Sequence, residues 1–583
     1  MNSRTVSVVF GLLSLSLFAE PQEWRNGERV PLWPEGRIPD YQEHQVGAMT
    51  DEAKTNADWR AAHRMPYLEW FAAPAKPNGR CMILVSGGSY QCCCDLGLIR
   101  KWRDEFTKRG FQCVNLVYRT PRPQGLLVHQ SAWEDGQRAV RLVRRDAAKR
   151  GFDPEKIGVI GMSAGGHLVT MLATSALTPA YAKVDEVDDI PCHVNWCIAN
   201  APAYNTATAA DGSPRPQDGT TFTDLKVNPS FKFDAKTCPI SFHHGGKDPY
   251  TPNGSTQTYR ELRKRKIPSE LHLYADKPHG AFGFERALEF MRQMNFDGEL
   301  GKEVPLTDRY ASDDDRHIYS REPVWWPESR MPGARADQCT PYLEWHIPQV
   351  LKTKAIQVIY SGGSYTGNSP DSFEVAPMRR YLNAKGMAVV TLKYRTPNRD
   401  RPVKHVAPWQ DLQRAIRIVR SEAADRGLDP ERIGIMGSSA GGHLTLMGVT
   451  SSQTPAYPPA DELDKVPCNV QWAIAIYPAY ALTDGADAHN TTGGNDDGAV
   501  PVPEFAFDAK SCPVCFIHGD ADGWAAMNSV KCWEKLRTMG VQCDLHTLAL
   551  RDHCFQRNAA PGTGSYTWME QAYDFISRKG FNK

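Results

Sequence analysis

A surplus of charge of either sign is missing from this sequence: 68 Lys and Arg stand against 67 Asp and Glu, a formal net charge of +1. That balance gives no electrostatic reason to expect nucleic acid or an acidic membrane surface as a partner, and no basic run with interleaved aromatics supplies one locally. Long apolar runs are almost as scarce. Residues 6–18 form one, of signal-peptide length, behind the positive Arg4 and before a cleavage point at Ala19. Nothing after it is long and apolar enough to span a bilayer, so export of a chain without membrane spans, to the periplasm or outside the cell, is the expectation. The cysteines lack metal-ligand spacing. Cys92-Cys93-Cys94 has no His or Cys partners at the right intervals and is not read as a metal site.

What is present is a large repeat. Pro66-Tyr67-Leu68-Glu69-Trp70 returns 275 residues later as Pro341-Tyr342-Leu343-Glu344-Trp345, and Ser86-Gly87-Gly88-Ser89-Tyr90 returns at the same interval as Ser361-Gly362-Gly363-Ser364-Tyr365. Tyr118-Arg119-Thr120-Pro121 recurs as Tyr394-Arg395-Thr396-Pro397. A chain of 583 residues is too long for one core, and a period this long means two whole domains in tandem rather than a solenoid. The expected division is a leader at 1–19, a first domain at 20–296, a polar linker at 297–320 containing Asp313-Asp314-Asp315, and a second domain at 321–583.

Within the first copy, apolar β-type runs at 82–85, 113–118, 157–162, 195–199, 240–244 and 270–275 alternate with amphipathic stretches at 98–108, 133–149, 255–265 and 284–294. This alternation predicts an α/β fold with a mostly parallel sheet covered on both faces. Such sheets bind ligands at the carboxyl ends of their strands.

At one such end lies Gly161-Met162-Ser163-Ala164-Gly165, repeated as Gly437-Ser438-Ser439-Ala440-Gly441. A short strand running into Gly-x-Ser-x-Gly and on into a helix makes a tight turn that presents the serine and needs small neighbours. Acyl transfer by serine then requires a base, a carboxylate to orient it, and donors for the oxyanion. In this setting the chain order is serine, acid, histidine. After Ser163 the strand at 240–244 runs on to Asp248 and the one at 270–275 to His279; the second copy places Asp522 and His553 after Ser439. Asp276 and Asp552 lie nearer their histidines, but at spacings that differ between copies, and remain the weaker alternatives for the acid. His129/His405, His167/His443 and His244/His518 also recur and read as structural hydrogen-bonding residues. Oxyanion donors are expected from the backbone of Ala164 with Gly88 and Ser89, and of Ala440 with Gly363 and Ser364, since glycines let the backbone approach the substrate oxygen.

Together, Leu32-Trp33-Pro34, the Ser-Gly-Gly-Ser-Tyr loop, Tyr-Arg-Thr-Pro, Asp-x-Gln-Arg-Ala (135–139 and 411–415) and Gly-x-Ser-Ala-Gly-Gly-His resemble the α/β-hydrolase esterases. They resemble most the secreted acetyl xylan esterase and feruloyl esterase-like branch. Both copies depart from it at the oxyanion loop, where Ser86 and Ser361 replace His or Pro and Ser89 and Ser364 replace Gly. The resemblance implies two tandem α/β-hydrolase domains. It also implies hydrolysis of acetyl or other small acyl esters on polysaccharides through an acyl-enzyme, with no metal or organic cofactor. Alternatives are a feruloyl esterase, a serine peptidase of prolyl-oligopeptidase type, for whose propeller the chain leaves no room, and a non-catalytic binding role for one domain. Two further expectations concern each half. Cys192 with Cys238, and Cys468 with Cys512, precede consecutive strands and could close disulfides. The segments 205–236 and 481–510, between nucleophile and acid, differ in sequence and would form lids or substrate walls.

Overall fold

The computed structural model describes residues 26–46, 66–74, 77–93, 96–206, 226–280, 283–297, 318–324, 335, 337–398, 404–450, 454–483, 499–558 and 567–583. The expected leader lies outside them, as does the expected linker apart from Asp297 and residues 318–320.

Eight strands come from the first half: β1 (Glu28–Pro31), β2 (Tyr67–Phe71), β3 (Cys81–Val85), β4 (Gln112–Val117), β5 (Ile157–Met162), β6 (Trp196–Asn200), β7 (Ile240–Gly245) and β8 (Ser269–Tyr274). They lie in the order β1-β2-β4-β3-β5-β6-β7-β8, with the β1–β2 and β2–β4 pairs antiparallel and the other pairs parallel. The second half repeats this with β9 (Ile318–Pro323), β10 (Tyr342–Ile347), β11 (Ile356–Tyr360), β12 (Ala388–Lys393), β13 (Ile433–Ser438), β14 (Trp472–Ile476), β17 (Val514–Gly519) and β18 (Asp544–Leu548), while β15 (Leu482–Thr483) and β16 (Val500–Pro501) form a small separate hairpin. Strand β9 takes up residues 318–320 of the segment expected as linker.

The parallel strands are buried along almost their whole length, with only Met162 ending β5 and Lys393 ending β12 half-buried, as expected where helices cover both faces. The helices of the first half are α1 (Leu96–Lys108), α2 (Gln130–Arg145), α3 (Ala164–Thr174), α4 (Asn253–Lys264) and α5 (Phe284–Gln293). Their counterparts are α6 (Ala376–Ala384), α7 (Val406–Ala423), α8 (Ala440–Val449), α9 (Met527–Thr538) and α10 (Trp568–Arg578). This is the α/β-hydrolase fold, built twice. Among the described residues no helix is long and apolar enough to cross a membrane.

The recurrent Tyr-Arg-Thr-Pro and Asp-x-Gln-Arg-Ala motifs form one buried joint. Arg119 Nε donates to Asp135 Oδ1 at 3.0 Å and Arg395 Nε to Asp411 Oδ1 at 2.9 Å, which locks the end of β4 or β12 to helix α2 or α7. Trp33 Nε1 adds a 2.7 Å bond to Asp135. One motif arginine on, Arg138 reaches Asp185 and Asp188, and Arg414 reaches Asp461 and Asp464.

The two sheets are not separate. Strands β8 and β18, which are equivalent in the repeat, pair antiparallel (Leu271↔Thr547, His272↔His546, Leu273↔Leu545) and make one 16-stranded sheet. Around this seam Arg260 binds Glu534 at 2.8 Å, and Asp520 accepts from Tyr259 at 2.5 Å and Arg263 at 3.0 Å. Asp276 pairs with Arg578 of the other half.

Both expected disulfides are absent: Cys192, Cys238, Cys468 and Cys512 remain thiols. Strands β6 and β7 are indeed neighbours, but their register sets Cys197 against Ile240. Counting back along both strands places Asn195 across from Cys238, with Cys192 three residues short. The same register, Ala473↔Val514, places Gln471 across from Cys512.

Candidate active site

Strands β5 and β13 each hand their chain to a helix through a single residue with positive φ. Ser163 has φ 58° and ψ −120°, and Ser439 has φ 56° and ψ −121°. A serine in that region is strained, and the surrounding structure has to hold it there. Crowding by small residues does so: a Cβ on Gly165 would lie 2.4 Å from the Ser86 carbonyl oxygen, and one on Gly441 would lie 2.7 Å from that of Ser361. Both serines are largely buried, 5% and 7% exposed.

The acids follow the ends of β7 and β17, and the histidines the ends of β8 and β18. In the second half the three groups form a chain: His553 Nε2 lies 2.8 Å from Ser439 Oγ, and His553 Nδ1 lies 2.8 Å from Asp522 Oδ2. In the first, His279 Nδ1 lies 2.7 Å from Asp248 Oδ2, while the Ser163 hydroxyl makes no bond to His279 among the described residues. The structure therefore brings all three residues together by hydrogen bonds at Ser439 and only the acid and base at Ser163. Asp276 is engaged with Arg578 at the seam, away from any imidazole partner role.

The acids are further held by histidines that sequence reading treated as structural. His244 Nε2 lies 3.2 Å from Asp248 Oδ2 and His518 Nε2 lies 3.1 Å from Asp522 Oδ2. Burial alone would raise the Asp248 carboxyl, but hydrogen bonds from His244 and His279 outweigh it and hold it down at about 2. Burial opposes the same balance at Asp522, whose carboxyl is also held low by His518 and His553. The carboxylates are therefore ionised at neutral pH and face the Nδ1 side of the bases.

The loop after β3 or β11 curls over each serine. Gly88, Ser89 and Tyr90 all have positive φ (124°, 52° and 60°), as do Gly363, Ser364 and Tyr365 (90°, 55° and 58°). Glycine is required at the first position because a Cβ there would meet the carbonyl oxygen of Cys92 or Gly367 at 1.9 Å. The amides of Gly88, Ser89 and Ala164, and of Gly363, Ser364 and Ala440, have no protein acceptor among the described residues. The second loop has an extra anchor, since the Gly362 amide donates to Glu374 Oε2 at 2.8 Å. Glu374 also takes a 3.3 Å bond from Tyr477, and Gln556 accepts from Ser438 at 3.1 Å, so a buried polar network backs the second site. Met162 and Ala201 stand at the corresponding places of Ser438 and Tyr477 in the first half.

Sequence reading missed the aromatic walls. In the first half the Tyr250 ring lies 4.9 Å from His279, and Arg122 donates to the Tyr204 hydroxyl at 2.9 Å. In the second, Tyr477 lies 4.8 Å from His553 and Trp524 packs edge-on against Tyr480 at 4.7 Å. One signal was available: Pro202-Ala203-Tyr204 recurs as Pro478-Ala479-Tyr480, an interval of 276 residues, close behind the strand next to each nucleophile. Of the two expected lids, 207–225 and 484–498 lie outside the described residues.

Comparison with known proteins gives partial relatives. The chain is 29% identical over 239 residues to endo-1,4-beta-xylanase B of Butyrivibrio fibrisolvens, covering 40% of this chain and 36% of that protein. It is 26% identical over 238 residues to an acetylxylan esterase of Xylanibacter ruminicola (38% and 44% covered), and 27% identical over 238 residues to the esterase LipQ of Mycobacterium tuberculosis (39% and 52%). The chain thus spans only between about a third and a half of the length of these relatives. A solved acetyl ester-xyloside bifunctional hydrolase from Caldicellulosiruptor lactoaceticus is similar at 25% identity with a TM-score of 0.38, covering 45% of this chain and 97% of that one. The profile of the prolyl oligopeptidase family matches residues 135–296. The BD-FAE profile matches residues 71–185 and 343–536, just over half of the chain and in both halves of the repeat, and the chain belongs to the BD-FAE family.

Proposed function

We propose that the chain is an exported serine carboxylic-ester hydrolase with two catalytic domains, at 20–296 and 321–583 joined by the segment 297–320, that removes O-acetyl or other small acyl groups from polysaccharides. The observation that carries this reading is the hydrogen-bonded series from Ser439 through His553 to Asp522 on a strained strand-to-helix turn. The triads are Ser163, His279 and Asp248 in the first half and Ser439, His553 and Asp522 in the second.

The chemistry follows from the arrangement. His553 Nε2 takes the Ser439 proton as Oγ attacks the ester carbonyl, and Asp522 keeps the imidazole oriented and stabilises the imidazolium. The developing oxyanion lies against the amides of Ala440, Gly363 and Ser364, or of Ala164, Gly88 and Ser89 in the first half. These amides are fixed in advance by the loop and the helix start, so they need no reorganisation when charge appears. The imidazolium then protonates the leaving sugar hydroxyl, and a water activated by the same base hydrolyses the acyl-enzyme. Two curated relatives named for xylan chemistry support a polysaccharide ester as substrate.

A second reading has its own observation. Because Ser163 makes no bond to His279, the first half would bind acylated polysaccharide while the second cleaves it. Acetate release from acetylated xylan by the wild type, Ser163→Ala and Ser439→Ala separates the two. Activity retained in part by each variant supports two working sites. Complete loss in Ser439→Ala alone supports the binding role. Absence of acetate release from the wild type overturns the xylan assignment and directs the search to other acetylated glycans and feruloyl esters.

A further inference from the structure

Behind each nucleophile two imidazoles face one another, His129 with His167 at 5.1 Å between ring centroids and His405 with His443 at 5.2 Å. His167 and His443 lie one turn into helices α3 and α8, and their amides donate to the carbonyls of Ser163 and Ser439. His129 and His405 precede helices α2 and α7. The third member of the cluster differs between halves. In the first half it is Asn228; in the second it is Glu504, which lies two residues further along the repeat, because Phe231 and Cys238 recur as Phe505 and Cys512 at an interval of 274.

Asn228 behaves as a hydrogen-bonding clamp. Its Nδ2 lies 3.3 Å from His167 Nε2 and donates to the Tyr204 carbonyl at 2.8 Å, while Oδ1 accepts from the Ser230 amide at 2.9 Å. Glu504 is arranged differently. Its Oε1 lies 3.7 Å from His405 Nδ1 and 3.8 Å from His443 Nε2, and the three atoms all lie within 4.8 Å of one another. These separations are too long for hydrogen bonds. Two ligands each held about 2.1 Å from a tetrahedral ion lie roughly 3.4 Å apart, so a contraction of a few tenths of an ångström would bring Glu504 Oε1 to that separation from each imidazole nitrogen.

The surroundings favour a cation. His405 and His443 are buried and the Glu504 side chain is 17% exposed, so the three candidate ligands are largely shielded from competing water. Tyr365 holds His443 Nδ1 at 2.8 Å and fixes the ring with Nε2 toward Glu504, the kind of outer partner that orients a metal-ligating imidazole. Phe505, 4.9 Å from the His443 ring, and Tyr480 complete an aromatic surround.

We propose that His405 Nδ1, His443 Nε2 and Glu504 Oε1 bind one divalent transition-metal ion of the zinc class, in the second half only. Two imidazoles and a carboxylate are the ligand set such ions take. The ion would pin the segment that carries Glu504, part of the wall between nucleophile and acid, to the starts of α7 and α8. Asn228 does the same work by hydrogen bonds in the first half. The ion takes no part in acyl transfer.

Cobalt(II) serves as the probe because its spectrum reports its ligands, and the chain has 15 cysteines that could also take metal. The full chain is equilibrated with Co²⁺, freed of excess by gel filtration, and measured for bound metal and absorption. One Co²⁺ per chain with visible d–d bands and no thiolate-to-cobalt charge-transfer band is expected. Glu504→Asn, which removes the carboxylate, should lose that ion, with affinity at least tenfold weaker, and Asn228→Ala should keep it. Were Glu504→Asn to fail to fold, His405→Gln carries the same expectation. Equal cobalt content in wild type and variant, a thiolate charge-transfer band, or no retained cobalt would each overturn the proposal.

Discussion

At Ser439 a backbone conformation of positive φ, a 2.8 Å contact to His553 and three unengaged amides converge on one hydroxyl. The geometry at Ser163 is the same in its turn and its acid–base pair and differs in the missing serine–histidine bond. Residue identity made the proposed triads legible: Asp248 and His279, and Asp522 and His553, follow strand ends in the required order at spacings shared by both copies, whereas Asp276 and Asp552 lie at spacings that differ. It did not separate His244 and His518 from background histidines, because their role depends on reaching across a turn to the acid. The residue-scale expectation concerns chemistry that belongs to Ser439 alone. In a Ser163→Ala background, Ser439→Ala should lower ester turnover by about 10⁴-fold or more, given the cost of removing a triad nucleophile. Steady-state hydrolysis of a chromogenic acetyl ester checks this, and residual turnover within tenfold of the parent would show that another group attacks.

Elements in this chain are tied by charge as well as by apolar burial. Arg395 and Asp411 are 1% and 0% exposed, and their pairing fixes the end of β12 to α7. Arg395→Ala would leave the Asp411 carboxylate buried without its guanidinium, at a cost of about 3–5 kcal/mol, readable as a lower midpoint in urea unfolding. Arg395→Met combined with Asp411→Leu should recover most of that loss, since it removes both charges together. A single variant as stable as the wild type would show that water reaches the site. The sequence displayed these motifs twice without revealing that they touch, because sixteen residues separate the partners and only the strand-to-helix geometry closes the gap. The disulfide expectation failed at the same scale. The consecutive strands are neighbours in the sheet, but a disulfide needs Cα atoms within about 7 Å, and register, which period and composition do not encode, set the cysteines three residues out of step.

The whole molecule is joined through β8 and β18, and its seam is lined with histidines. His272 Nδ1 lies 3.2 Å from His546 Nδ1, and His272 and His243 are fully buried. Burial pushes His243 and His272 well below the ordinary imidazole value, with neighbouring cationic groups adding to it. The unfolded chain therefore binds protons below about pH 6.5 that the folded chain refuses. Stability from these groups is complete above that pH and falls as pH drops, by up to about 1.4 kcal/mol per pH unit per histidine. Thermal unfolding should show a Tm that declines steadily from pH 7.5 to pH 5, with a shallower decline in His272→Gln. A Tm equally insensitive to pH in the wild type and in His272→Gln would show that the seam histidines contribute no such term beside Glu270, whose buried carboxyl is pushed up to about 7 and acts with the opposite sign.

The sequence by itself determined the two copies, the alternation of strand and helix, the turn that carries each serine, and the placing of a carboxylate and an imidazole past strand ends in the order that the proposed triads require. Each of these is local or ordered along the chain: small residues around a serine, a period of two or of 3.6, a carboxylate and an imidazole just past strand ends. Tertiary structure alone decided that the halves share one sheet, that Asp276 belongs to the seam, that the thiols stay apart, and that a carboxylate faces two imidazoles in one half where an amide faces them in the other. Those outcomes depend on strand register and on contacts between residues tens to hundreds of positions apart, which neither side-chain type nor spacing along the chain specifies.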